Sequence, residues 1–240
     1  MSGDRIAAVT FDYWNTIVRA DADQGAHRLQ AWAVEYAEAG HVVDDDALHA
    51  AFRTVWDQHQ AAWLRNEQYT GERAARAAIE QLDLPVSEQV RDRLVERFVT
   101  AGEQAGFHLC DGIDELLTDL HGRGVRLGIV CDVGFTPSSG LRRILERFGI
   151  LGCFDGWSFS DEVGWYKPAP AIFEHALGYL GVGPGAAAHV GDLRRTDVAG
   201  ARALGMTAVR YRGAHDDVSD GPEGDHVIDH HAELWPALAV

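Results

Sequence analysis

The 240-residue chain is poor in cysteine, in positive charge and in long apolar runs. Its three cysteines, Cys110, Cys131 and Cys153, show no Cys-x-x-Cys spacing. That argues against a disulfide-stapled scaffold and against a zinc ribbon, and suits a reducing compartment. Lys and Arg number 21 against 37 Asp and Glu, a formal charge of −16. Nucleic acid is bound through clustered basic side chains, so that partner class is not expected. No run approaches ~20 apolar residues, so no membrane-spanning helix is expected either. The first apolar stretch is short and contains Asp12 and Asn15, which is no signal-peptide pattern. The expectation is a soluble, cytoplasmic protein. A Gly-x-Ser-x-Gly nucleophile turn is also missing. The glycine-rich run at 181–186 precedes a strand rather than a helix, the wrong order for cradling a pyrophosphate.

What is present falls into two regimes. Residues 5–12, 126–131, 187–192 and 206–211 are short continuous apolar runs, and a fifth lies near 226–229. Such runs, separated by helix-length segments, predict a parallel sheet covered on both faces. The intervening helices are expected at about 112–122, 138–148, 169–180 and 195–204, with a terminal helix through Leu234 and Leu238. Residues 22–108 instead repeat apolar positions at helical spacing: Leu29, Trp32 and Tyr36; Leu48, Phe52, Val55, Trp56 and Trp63; Ala75, Ile79 and Leu82; Val90, Leu94 and Phe98. A break is expected at Asp83-Leu84-Pro85, with Ser87 capping the next helix. The fold class is α/β: a Rossmann-like parallel sheet core, residues 1–20 and 110–240, with an inserted all-helical domain at 21–109. Residues 212–225, polar and Gly-rich, read as a mobile surface loop. His226, His230 and His231 fall in a polar tail with no matched set of metal ligands.

Ligands of open α/β sheets bind beyond the carboxyl ends of the strands. Three expected strands deliver polar residues there: Asp12, the pair Cys131–Asp132, and Asp192 followed by Asp197. Carboxylates converging on one spot repel each other unless a cation sits among them, and hard oxygen ligands suit Mg²⁺. Lys167 would hold an anionic group, which leaves Asp12 as a carboxylate nucleophile.

These segments resemble the four motifs of the haloacid dehalogenase superfamily, in order and around a helical insertion. They are Phe11-Asp12-Tyr13-Trp14-Asn15-Thr16, Ile129-Val130-Cys131-Asp132, Lys167-Pro168 and Gly191-Asp192 through Asp197. The helical insertion resembles the small cap of the subfamily containing phosphoglycolate phosphatases and dehalogenases. The resemblance implies a Mg²⁺-dependent phosphatase of a small phosphorylated metabolite. Asp12 would form an aspartyl-phosphate, and Lys167 would orient it. Asp12, Asp192, Asp197 and the Trp14 carbonyl would hold the metal. Thr16, Cys131, Asp132 and Lys167 would face the phosphate.

Three residues depart from that pattern. Trp14 stands where phosphatases of the family carry a second aspartate that protonates the leaving group, and an indole N–H is no base. Cys131 replaces a Ser or Thr, and Thr196 stands where asparagine is common. An aromatic residue at position 14 resembles the hydrolytic dehalogenases, so a 2-haloacid dehalogenase-like hydrolase, or a relative that binds without catalysing, stays as the alternative.

Overall fold

The computed structural model describes residues 6–21 and 24–238. Arg5, at the start of the first expected strand, lies outside them. In chain order the elements are β1 (Ala8–Phe11), β2 (Val18–Ala20), α1 (Gln24–Glu38), α2 (Asp45–Leu64), α3 (Gly71–Leu82), α4 (Glu88–Ala101), β3 (Phe107–Leu109), α5 (Ile113–Gly122), β4 (Arg126–Cys131), α6 (Ser138–Arg147), β5 (Gly156–Phe159), α7 (Ser160–Val163), α8 (Pro170–Leu180), β6 (Ala187–Gly191), α9 (Ala199–Leu204), β7 (Thr207–Tyr211), β8 (His226–Ile228) and α10 (Leu234–Leu238). No helix among the described residues is long and apolar enough to cross a membrane.

Six strands form one sheet in the order β5-β4-β1-β6-β7-β8, and every pairing is parallel. The short apolar strands have the composition that burial on both faces demands: every residue of β1 and β6 is buried. One face is covered by α8 and α9, whose Ile172, Phe173, Leu177, Leu180 and Ala201 pack on Ala8, Val130, Ala187 and Ala208. β4, β1 and β6 lie side by side, so their carboxyl ends bring Asp132, Asp12 and Asp192 to one edge. β5 and the two-stranded sheet of β2 and β3 were not expected from the sequence.

The sheet belongs to one unit, residues up to Arg19, Phe107–Asp132 and from Leu145 onward. The second unit is helical and comprises Ala20–Gly106 together with Val133–Ile144. It is therefore not confined to the 21–109 stretch. Its helices start where the sequence offers caps. Asp44, Thr70 and Ser87 accept the N–H groups of Asp46, Arg73 and Val90, while Asp83 ends α3 in the left-handed conformation. Trp32, Tyr36, Leu48, Leu94 and Phe98 fill its core. The buried Glu35 takes a 2.6 Å bond from Arg93, and the Trp32 indole donates to the Leu94 carbonyl.

Phe135 explains why residues 133–144 join this unit. Its ring, 5% exposed, packs among Phe52, Trp56, His59 and Phe98. Burying a phenyl ring is worth roughly 1.5–3 kcal/mol, enough to hold a short segment. The buried Arg28 guanidinium adds a 2.7 Å bond to the Thr136 hydroxyl and lies over the Phe98 and Phe135 rings. Burial draws its pKa down to about 10, still a cation at neutral pH.

Residues 212–225 are not a free loop. The Arg210 side chain, 3% exposed, reaches Asp216 at 2.6 Å and Glu223 at 2.7 Å. Asp217 accepts the N–H groups of Arg194 and Ser219, and Arg202 donates to the Glu223 carbonyl. The polar composition reflects these tethers rather than mobility. Nor is His231 part of a polar tail. It is fully buried, stacked on Tyr211 at 4.2 Å, and bonded through Nε2 to the Thr16 carbonyl.

Candidate active site

Asp12 leaves β1 with its N–H bonded to the Val190 carbonyl, which fixes it between β4 and β6. Its carboxylate meets Lys167, from the irregular stretch between α7 and α8. The Lys167 ammonium donates to Asp12 Oδ1 at 2.5 Å and to Asp197 Oδ1 at 2.7 Å. All three side chains are nearly inaccessible. The Lys167 backbone N–H is anchored in turn by Asp132 Oδ1 at 2.8 Å. Burial works against the charge on Lys167, but Asp12 and Asp197 hold its pKa above the ordinary lysine range.

Asp197 sits in the single wide helical turn, Arg194–Val198, that precedes α9. It accepts from Lys167, from His189 Nε2 at 3.0 Å, from the Leu193 N–H at 3.0 Å and from the Thr196 hydroxyl at 3.3 Å. Against the burial, these donors hold its pKa below the usual carboxylate range. An ionised carboxylate can only accept, so His189 carries its proton on Nε2. Its Nδ1 then takes the Thr10 hydroxyl at 2.9 Å. Burial lowers the His189 pKa and keeps the ring neutral. Gly191 is obligatory here, since a Cβ would stand 2.3 Å from Asp197 Cγ.

Asp192, 2% exposed, follows β6 directly. Its Oδ2 lies 2.8 Å from His215 Nδ1, and the Asn15 side chain supplies another hydrogen bond. Burial and the neighbouring Asp197 push its pKa up to about 7. Burial also raises Asp12 well above the carboxylate range, Lys167 pulls it back, and Asp197 and Asp192 raise it further. Asp12, Asp192 and Asp197 each place an oxygen within 4.8 Å of the others. Asp12 and Asp197 thus share one ammonium, with a third carboxylate, Asp192, alongside them. A buried set of hard oxygen donors with an excess of negative charge fits a divalent cation that keeps some of its waters.

Asp12, Lys167, Asp192 and Asp197 therefore converge, with Asp132 one bond away. Cys131 is fully buried, bonds to the Asp132 carbonyl through sulfur at 3.4 Å, and is pushed by burial well above the ordinary thiol range. It is a protonated small side chain, not a thiolate. The Thr16 hydroxyl is buried and makes no hydrogen bond; its carbonyl is the group engaged, by His231. Trp14 is half-buried, with its ring against Tyr13 at 4.8 Å and Phe107 at 6.2 Å. Sequence reasoning missed Asn15, His189 and His215. Only His189, lying within an apolar strand three residues before Asp192, carried a signal in the sequence.

A sequence model of haloacid dehalogenase-like hydrolases matches residues 6–205. A haloacid dehalogenase-like hydrolase domain-containing protein 3 from Bos taurus is 26% identical over 98% of this chain and 94% of its own length. A phosphoserine phosphatase from Thermus thermophilus is 33% identical over 68% of this chain and 62% of its own. Among solved structures, a 2-haloacid dehalogenase from Pseudomonas syringae superposes with a TM-score of 0.72 at 25% identity, over 98% of each chain.

Proposed function

The chain belongs to the haloacid dehalogenase-like hydrolase family, and on that premise we propose that it is a Mg²⁺-dependent phosphatase of a small phosphorylated metabolite, with the helical unit as its cap. The observation that carries this reading is the sharing of Lys167 by Asp12 and Asp197, with Asp192 alongside. A phosphate dianion cannot approach such a cluster until a dication has cancelled the surplus charge. Asp12, Asp192 and the Trp14 carbonyl would hold that ion, and Asp197 would support it directly or through water. When bound, Mg²⁺ supplies Lewis-acid polarisation of the phosphoryl oxygens.

The chain's own groups do the rest. Lys167 counters the burial that raises the Asp12 pKa, aims its carboxylate, and would neutralise a phosphoryl oxygen. Asp12 attacks phosphorus; the P–O ester bond breaks, the alkoxide leaves and takes its proton from water, and water later cleaves the aspartyl-phosphate. Cys131 and Asp132, at the end of β4, and Thr16 complete the phosphate-facing set. Trp14 supplies neither acid nor base, so esters with good leaving groups should react best. General acid–base help is typically worth ~10²–10⁴-fold.

A dehalogenase reading draws on the aromatic residue at position 14, because halide needs no proton to leave. It is disfavoured by Asp192 and Asp197, which raise the pKa of Asp12 and blunt a metal-free attack. Purified protein assayed on phosphate monoesters and 2-haloacids, with Mg²⁺ or with EDTA, decides between them. The expected result is Mg²⁺-dependent phosphate release that Asp12→Asn abolishes. Metal-independent halide release would establish the dehalogenase. Equal phosphate release by wild type and variant would leave no catalytic role for Asp12.

A further inference from the structure

We propose that His215 is a positioning residue of the cation site, acting through Asp192; this rests on the cation reading above. The side chain of Asp192 turns on a soft sp³–sp² torsion, so the plane of its carboxylate is set by the groups that hydrogen-bond to it. Those groups are the His215 imidazole, the Asn15 side chain and the backbone of Asp192 itself. With Asp192 ionised, as a cation ligand must be, Nδ1 of His215 carries the proton and donates to Oδ2 at 2.8 Å. Oδ2 is thereby fixed, and with it the plane in which Asp192 offers an oxygen near those of Asp12 and Asp197. A second-layer donor of this kind does for a carboxylate what outer hydrogen bonds do for histidine ligands.

The position of His215 is itself enforced. The two residues that follow it are each tethered to a different segment. Asp216 is held by the nearly inaccessible Arg210 of β7 at 2.6 Å. Asp217 accepts the Arg194 backbone N–H at 2.7 Å, and its carbonyl accepts from Arg194 Nε at 3.1 Å. Arg194 opens the same turn that carries Asp197. The loop with His215 is therefore tied to the segment that delivers the neighbouring carboxylate, so both are placed by one piece of backbone. The imidazole is 47% exposed, so substituting it removes little packing.

The test is calorimetric binding of Mg²⁺ and Mn²⁺ to EDTA-stripped wild type, His215→Ala and His215→Asn, at one fixed pH and without substrate. Outer-layer partners of metal ligands are typically worth ~10–100-fold in affinity, and that is the loss expected for His215→Ala. His215→Asn places an amide N–H where Nδ1–H stood and should restore most of it. Equal affinity of wild type and His215→Ala overturns the proposal. So does an Asn variant as weak as Ala, which would mean the loop, not the donated hydrogen bond, carries the effect. A wild type that binds neither cation removes the cation reading itself, an outcome distinct from both.

Discussion

Replacing Lys167 by Met removes the ammonium shared by Asp12 and Asp197 while keeping an unbranched apolar stem. The magnitude can be worked in two ways. Removing one partner of a buried ion pair typically costs about 3–5 kcal/mol. Alternatively, the cluster restores its charge by binding one proton more than the wild type holds on Asp12 and Asp192. At about pH 7 that proton is held some three pH units above the carboxylate's unfolded pKa of about 3.9, at 1.36 kcal/mol per unit, or about 4 kcal/mol. The two routes agree. The second also fixes the pH dependence. The folded variant holds a proton that the unfolded chain releases, so its deficit grows as pH rises between about 5 and 7 and shrinks as pH falls. Near pH 5 only about 1.5 kcal/mol should remain. Urea denaturation of EDTA-treated wild type and Lys167→Met at the two pH values reads this directly. A deficit below about 1 kcal/mol at neutral pH, or one that does not change with pH, would refute the claim that these carboxylates depend on Lys167 for their charge balance.

Two further outcomes follow from the same geometry. Trp14→Asp should raise kcat/KM on alkyl phosphates by an appreciable part of the ~10²–10⁴-fold expected of a general acid, at the cost of the ring's packing on Tyr13 and Phe107; no rise would show that the missing carboxylate is not what limits the site. His231 is buried neutral, with a pKa pushed down to about 4, so its share of stability is complete above about pH 6.5 and is lost as pH falls from there, up to about 3 kcal/mol. His231→Phe keeps a ring on Tyr211 and should flatten the stability profile over that window; an unchanged slope would exclude His231 as its source.

The strands that form the middle of the sheet were legible because burial on both faces leaves an unbroken apolar run ending at a carboxylate, as in Val9-Thr10-Phe11-Asp12. β5 escaped because its four residues, Gly-Trp-Ser-Phe, are too few for their alternation to stand out from the chain around them. β2 and β3 are three residues each, too short for any period. The helical stretch was legible from its spacing, but Phe135 was not: its attachment to that unit is a tertiary contact of one ring. At the site, Asp12 and Asp192 stood out as polar residues at the ends of apolar segments, while Lys167 and Asp197 stood out only through the resemblance of their segments to the family motifs. His215 could not be found this way, because it lies among Asp, Ser and Gly, where one polar residue looks like the next. The tethers of residues 212–225 were invisible for a similar reason: a charge-rich loop reads as solvated until its partners on β7 and around Asp197 are in place.

Lys167 Nζ and Asp12 Oδ1 meet across 155 residues of sequence. On a ribosome adding about 5–20 residues per second, position 12 waits roughly 10–30 s for its ammonium. β6, which flanks β1 on one side, is translated later still. Until then Val9 and Phe11 belong to a strand with an open edge, the state in which nascent chains are prone to mispair. The helical stretch from Ala20 to Gly106 emerges in between and can collapse locally first. Whatever shelters β1 in that interval must surrender it when Ala187–Gly191 arrives, so the pairing of Asp12 with Lys167 becomes a reporter of late steps of folding.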